Sequence, residues 1–182
     1  MMNVLLFGAT GVVGQGVMRE CLMDPEVHLL QTVGRTATGA QHAKLREVVH
    51  NDLWHYESRE SQLSDFNACF FCLGVSSSGM REENYERVTY GITLAAAQTL
   101  SRLNPRMTFI YVSGAGTDSS ERGRIMWARV KGKTENALPA CHSKQPICFV
   151  LASFSRCTEA NPRRHFITSF TPWENLCSHG CD

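Results

Sequence analysis

Three glycines, Gly8, Gly11 and Gly14, stand three apart in Gly8-Ala9-Thr10-Gly11-Val12-Val13-Gly14, directly after the apolar run Val4-Leu5-Leu6-Phe7. Each does a separate job where a strand turns into a helix over a phosphate. Gly8 lets the chain turn sharply, Gly11 lets the backbone approach a pyrophosphate without a Cβ in the way, and Gly14 lets helix pack on strand. Thr10, Val12 and Val13 lie between them, where the amides of a helix N-terminus would receive the phosphates. Glycine-rich turns also serve purely structural loops. Here the run lies between a buried-strand pattern and apolar residues at helical spacing (Val13, Val17, Cys21), which favours dinucleotide binding.

A second candidate follows in Gly34-Arg35-Thr36, at the end of the next apolar stretch. In a dinucleotide fold this position faces the adenosine ribose, where an acid would accept from the 2′-hydroxyl and an arginine would pair with a 2′-phosphate. There is no acid and there is Arg35, whose planar fork suits phosphate, so NADP is expected in preference to NAD. The alternative is a solvated surface arginine. Asp52, followed by Leu53, is placed to meet the adenine edge. Leu73-Gly74-Val75-Ser76-Ser77-Ser78-Gly79 forms a small-residue loop at a strand's carboxyl end, expected to line the cofactor's ribose and phosphates.

Eight cysteines offer a different chemistry, but their placement argues against it. Cys21 falls on the first helix, and Cys69 and Cys72, three apart in a strand, should point to opposite faces as small buried hydrophobes rather than as a redox or metal pair. Cys177, His179 and Cys181 have no second ligand pair at finger spacing, so no metal is expected.

These residues need a scaffold, and the chain alternates strands with helical stripes. Strands are expected at residues 28–33, 48–50, 68–73 and 107–112, and a short polar helix at 41–46. Tyr85, Val88, Ile92, Ala95, Ala96, Thr99 and Leu103 mark one face of a long helix that Asn104-Pro105 stops. The next strand delivers Ser113-Gly114-Ala115-Gly116, and a further helix carries Trp127 and Lys131 four apart on one face. The alternation implies an α/β domain: a doubly wound parallel sheet, the Rossmann fold, with right-handed crossovers and three α/β/α layers.

Length and charge narrow the classes. The 182 residues make one domain, and a formal net charge of +1 with interspersed signs gives no basic stripe for nucleic acid or a membrane surface. The first apolar run ends at Gly8, too soon for a signal peptide or a membrane span, so a cytoplasmic protein is expected.

Over residues 2–138 the chain resembles the short-chain dehydrogenase/reductase superfamily, specifically its atypical branch of NAD(P)-binding proteins related to the NmrA-like and epimerase groups. The carriers are the three-glycine turn, Gly34-Arg35, Asp52-Leu53, Leu73-Gly74, the strand 109–113 and the Lys131 helix. In active members a serine after the fifth strand polarises a substrate carbonyl and a tyrosine moves the proton. A lysine four residues later lowers the tyrosine's pKa and holds the nicotinamide ribose. The resemblance implies these roles for Ser113 and Lys131, while Trp127 stands where the tyrosine belongs. An indole N–H donates a hydrogen bond but is no general acid or base near neutrality. Two functions follow. One is an NADP-dependent oxidoreductase on a small carbonyl-type substrate, its proton coming from Tyr85, Tyr90 or water. The other is a non-catalytic NADP-binding redox sensor or regulatory module.

The resemblance stops near residue 138. Five of the eight cysteines crowd into residues 139–182, periodicity fades, and the sixth-strand Arg-Pro-Gly signature that the family implies is missing. The dinucleotide domain is accordingly read as 1–152, with 153–182 an irregular tail that is truncated or non-native. The genetic code explains the break. With suitable synonymous codons for residues 141–158, reading each codon's third base with the next codon's first two spells Pro-Leu-Lys-Ala-Ala-Tyr-Met-Phe-Arg-Pro-Gly-Ile-Ile-Gln-Pro-Leu-His, which contains that signature. One base lost near codon 139 suffices. Residues 147–151 remain apolar enough to pair as a sixth strand, whereas 157–182 were never selected to pack. Sequencing the locus is expected to show Arg-Pro-Gly codons in the shifted frame. Early stop codons in that frame would refute the frameshift.

Overall fold

The computed structural model describes residues 1–139 and the backbone of 148–154 and 170–171. The sheet is laid down by strands β1 (Met2–Phe7), β2 (Val27–Gly34), β3 (Leu45–Val49), β4 (Ala68–Phe71), β5 (Thr108–Gly114), β6 (Cys148–Phe154) and β7 (Phe170–Thr171). Their order is β3-β2-β1-β4-β5-β6-β7, parallel through β6, with the two-residue β7 antiparallel at the edge. The crossing from the β3-β2-β1 half to the β4-β5-β6 half leaves a switch point between β1 and β4, where such sheets open a crevice at the strands' carboxyl ends. Helices α1 (Val12–Met23), α2 (Glu82–Glu86), α3 (Ile92–Leu103) and α4 (Met126–Ala137) form the outer layers.

Strand alternation explains the two cores. In β1, Leu5 and Phe7 enter one apolar cluster with Cys69, Phe71, Phe109 and Tyr111. Val4 and Leu6 enter the opposite one with Leu30 and Cys21. Helix α3 closes the first face through Ala96, Ala97 and Leu100, and α1 closes the second through Cys21 with Val17, Met18 and Leu22. Cys69 and Cys72 do fall on opposite faces, Cys69 in the first cluster and Cys72 against the second. Burial drives both thiols up, Cys72 to about 12, so neither is a poised thiolate.

Two expected elements change. Residues 41–46 form no helix: the segment turns at His42, where Leu45 N–H donates to the His42 carbonyl at 3.0 Å, and Leu45 and Arg46 pair with β2. A single polar turn buries too little apolar surface to compete with an open strand edge. The long helix over 85–103 is interrupted by a π-helical turn, Arg87–Gly91, between α2 and α3. The Trp54 ring rests on Gly91, where a Cβ would overlap its Cη2, and Arg87 lies over the same ring at 5.6 Å. The sixth strand forms at Cys148–Phe154, in register with β5 from Thr108↔Cys148 to Gly114↔Phe154. Cys141, Cys157, Cys177, His179 and Cys181 lie outside the described residues.

Two glycines of α1 give an internal control. A Cβ at Gly14 would overlap the Gly8 carbonyl oxygen and stand 2.9 Å from Ala9 Cα, whereas a Cβ at Gly16 meets nothing within 4 Å. Gly14→Ala is expected to cost about 1–3 kcal/mol, as overpacking does. Gly16→Ala should gain up to about 1 kcal/mol from helix propensity. Urea unfolding of the two variants checks the contrast.

Candidate functional site

The crevice predicted by the switch point is a cleft of about 390 Å³. Gly8, Ala9 and Thr10 line it after β1, Thr32 to Thr36 and Thr38 from β2's carboxyl end, Asn51 and Leu53 after β3, and Leu73 after β4. Gly8 sits at φ +78°, and a Cβ there would approach the Cys72 carbonyl oxygen at 2.7 Å, so the turn is fixed between β1 and the exit of β4. Gly11 caps α1 in an extended conformation with no side-chain cap, and α1's first turn carries no acid. The helix's leading amides are therefore open toward an anion. Gly14 is buried under the turn, and Val12 projects into solvent at 92 % exposure with Val13 half-buried behind it.

Arg35 is exposed on the cleft rim, and among the described residues no carboxylate pairs with it. The nearby carboxylate of Glu47 is occupied, accepting from Thr38 N–H at 2.6 Å and the Thr38 hydroxyl at 2.5 Å. Asp52 does not line the cleft; its neighbours Asn51 and Leu53 do. Its carboxylate turns back on its own loop, to His55 Nδ1 at 2.9 Å and the Trp54 N–H at 2.9 Å. The His55 hydrogen bond first, then the Trp54 amide, hold that carboxyl below its ordinary range, while Asp52 raises His55. Gly74 and Val75 follow Leu73 on the exposed loop beyond β4. Sequence reading missed Thr32, Thr38 and Asn51, which line the cleft. Their signal is small polar residues at the ends of β2 and β3.

A second group forms where β5 ends beside α4. Ser113 is buried at the end of β5. Trp127 is half-buried and Lys131 lies one turn after it, and a Cβ on Gly114 would come within 3.4 Å of Trp127 Cζ3 and 3.9 Å of Lys131 Cδ. The three residues that the resemblance implied are therefore together. Lys131 Nζ donates to the Val112 carbonyl at 3.4 Å and stands 5.2 Å from the Tyr111 ring centroid. Burial pushes its pKa down, partly opposed by Glu135. Glu135 is the residue the sequence reading missed: it accepts from the Ser113 hydroxyl and, at 3.0 Å, from the Thr117 hydroxyl. Its signal was present, four residues after Lys131 and so on the same helical face. Of the proposed proton sources, Tyr85 is 2 % exposed, with burial raising its phenol, and Tyr90 has the Lys133 ammonium 5.0 Å from its ring centroid.

No protein-family model matches the chain. Among proteins of known name it is 26% identical over 146 residues to "Protein fmp52, mitochondrial" of Emericella nidulans, covering 77% of this chain and 61% of that one. The corresponding protein of Aspergillus clavatus is 28% identical over 148 residues with the same coverage. The chain thus spans about three fifths of the length of these relatives. Their names overturn the cytoplasmic expectation. That expectation rested on an apolar run cut short by Gly8, a feature that says nothing of import into an organelle.

Among solved structures, the chain superposes on WbmF of Bordetella bronchiseptica in complex with NAD+ and UDP at TM-score 0.67 and 16% identity, covering 85% of this chain and 49% of that one. A short-chain dehydrogenase/reductase superfamily protein from Agrobacterium tumefaciens with bound NAD gives 0.63 and 14%, covering 82% and 48%. A nucleoside-diphosphate-sugar epimerase from Staphylococcus aureus gives 0.62 and 13%, covering 84% and 50%. The chain therefore has the Rossmann fold of short-chain dehydrogenase/reductase and NAD-dependent epimerase structures, the fold its glycine turn and strand alternation imply.

Proposed function

We propose that this protein binds a nicotinamide dinucleotide, NADP in preference to NAD, and is an oxidoreductase acting on a small carbonyl-type substrate. The observation that carries the reading is the cleft itself, where the uncapped N-terminus of α1 opens beside a turn too tight for any Cβ, with Arg35 on its rim. The proteins of like fold described with NAD+ or NAD bound support a dinucleotide as the ligand. In this reading Gly8, Thr10, Gly11, Val12, Val13 and Gly14 form the pyrophosphate turn and Arg35 takes the 2′-phosphate. Leu53 flanks the adenine, with Asp52 bracing its loop through His55 and Trp54; Leu73, Gly74 and Val75 border the ribose, and Lys131 holds the nicotinamide ribose. When bound, the cofactor supplies a hydride. Ser113 polarises the substrate oxygen with its hydroxyl, and Trp127 covers the site through its indole. Residues 1–152 are read as the binding domain, with β6 carrying the sheet on to Phe154 and Phe170–Thr171 of the tail adding its edge. The relatives' designation makes the mitochondrion the compartment in which to look for the protein.

NADPH is expected to bind more tightly than NADH. Because a hydrogen bond to a charged group is worth about 1.5–3 kcal/mol, Arg35→Asp should weaken NADPH by about 10- to 100-fold and leave NADH nearly unchanged. Fluorescence titration of both cofactors measures this, and equal affinities in the parent protein would refute the NADP preference.

A second reading, a non-catalytic NADP-binding module, is favoured by Trp127, since general acid–base catalysis by a positioned side chain is worth about 10²–10⁴ in rate. Trp127→Tyr separates the two. With Ser113 and Lys131 already adjacent, a phenol in that place should raise carbonyl reduction well above the parent rate. An unchanged rate with intact NADPH binding would favour the binding module.

A further inference from the structure

Glu135 stands at the place where the Ser113 hydroxyl would have to work. Ser113 Oγ–H donates to Glu135 Oε1 and Thr117 Oγ1–H donates to Oε2 at 3.0 Å, so both carboxylate oxygens are turned to hydroxyls at the carboxyl end of β5. A carboxylate only accepts, and a serine that spends its hydrogen on it keeps its oxygen lone pairs free for a second donor. The line substrate–Ser113–Glu135 is therefore already oriented for a proton moving inward.

We propose that Glu135 is the proton acceptor of this site and works through Ser113 when a substrate alcohol is oxidised. The substrate O–H bond breaks as its proton passes to Ser113 Oγ, while the Ser113 Oγ–H bond breaks and its proton passes to Glu135 Oε1. The hydrogen on the carbinol carbon leaves with its electron pair as hydride, for which oxidised NADP is the two-electron acceptor, and the C–O bond becomes C=O. Glu135 afterwards releases its proton to water. The inference rests on the dinucleotide reading above.

The surroundings fit this role. Trp127 offers only an N–H donor and so leaves the incoming proton to another group. The cation facing Glu135 is Lys131 on its own helix, one turn away. Tyr111 faces it from β5, with Tyr85 of α2 beyond Tyr111. The other cations of α4 face elsewhere: Arg129 pairs with Glu82 at 2.6 Å and Lys133 with Glu86 at 2.6 Å, both on α2. Two hydroxyls anchor the carboxylate, and among the described residues no salt bridge neutralises it, the arrangement a proton acceptor needs.

The test uses the full chain with ¹³C-labelled glutamate carboxyl carbons, and the variants Glu135→Gln, Glu135→Asp and Ser113→Ala. Ser113→Ala is expected to move the Glu135 carboxyl resonance, because Oε1 loses the hydroxyl that donates to it. With NADP+ and a panel of secondary alcohols, the oxidation rate should rise along one limb of its pH profile, as a step that needs a proton acceptor requires. Glu135→Gln should lower kcat by about 10²–10⁴-fold and flatten that limb, with the NADPH dissociation constant unchanged as evidence of intact folding. Glu135→Asp should recover part of the rate with a displaced limb. A Gln variant with the parent rate and pH profile, or a Glu135 resonance unmoved by Ser113→Ala, overturns the inference. So does NADPH binding without oxidation of any alcohol, which leaves the dinucleotide reading standing. Absence of NADPH binding in the parent protein overturns both.

Discussion

The contact on which the rest of the molecule depends is the approach of helix α1 to its own preceding turn. Gly14 lies against the Gly8 carbonyl at a separation that admits no side-chain atom, and Gly8 in turn is pressed against the Cys72 carbonyl of the neighbouring strand's exit. Three backbone segments, from β1, α1 and the end of β4, are thereby fixed relative to one another by van der Waals exclusion, and the Gln15 side chain of α1 donates to the Thr10 carbonyl of the turn at 3.0 Å. The Gly11 N–H to Gly8 carbonyl bond at 3.0 Å closes the turn from inside. With the turn fixed, the N-terminus of α1 is held beside the cleft that Gly8, Ala9 and Thr10 line.

That rigidity is supported from one face of the sheet. Phe7, Phe71 and Phe109 stack across three adjacent strands, with ring centroids 5.3 Å and 5.7 Å apart, and Tyr56 meets Phe7 edge-on at 6.2 Å. Aromatic pairs in such offset and edge geometries add about 0.5–1.5 kcal/mol each beyond their buried area. The stack runs under the strand ends that carry the cleft, and its outermost member, Tyr56, packs the loop bearing Asn51 and Leu53 onto β1. Asn104 does the corresponding work at the opposite edge, where its side chain accepts from Phe66 N–H at 2.9 Å and donates to the Leu63 carbonyl at 2.8 Å. Because these groups are buried, removing either partner would leave an unsatisfied amide in an apolar setting.

How much of this was legible in the sequence depended on whether a feature was periodic or merely local. The glycine turn and the alternation of strands with helices follow from spacing alone, because glycine at positions 8, 11 and 14 and the apolar periodicities after it leave few alternatives. The placement of Cys69 and Cys72 on opposite faces follows from the strand period in the same way. Misreadings came where tertiary partners outweighed local pattern. Residues 41–46 look like a polar helical turn until the unpaired edge of β2 is there to be extended. The stripe from Tyr85 to Leu103 reads as one helix because a π turn shifts its face by only one residue, and the Trp54 ring that rests on Gly91 at the end of that turn comes from a segment more than thirty positions away. Asp52 was assigned to the cleft by its place in the chain, yet a competing donor three residues later, His55, claimed its carboxylate.

Ser113, Trp127 and Lys131 were identified one at a time by likeness, and only the folded chain shows that they form a unit with a fourth member. Positions 127, 131 and 135 lie a turn apart on α4, so whatever faces β5 at one of them faces it at all three. Helical geometry therefore makes Glu135 a structural consequence of placing Lys131 at the end of β5. Electrostatics then explains why the pair persists. Burial disfavours the Lys131 ammonium, and the carboxylate one turn on opposes that cost, while the Val112 carbonyl and the face of Tyr111 take its remaining field. The carboxylate is satisfied in its turn by hydroxyls rather than by a second cation. The hydroxyl that donates to its Oε1 is that of Ser113, which the fold brings to the end of β5, so the carboxylate and the serine are positioned by the same packing of α4 on that strand.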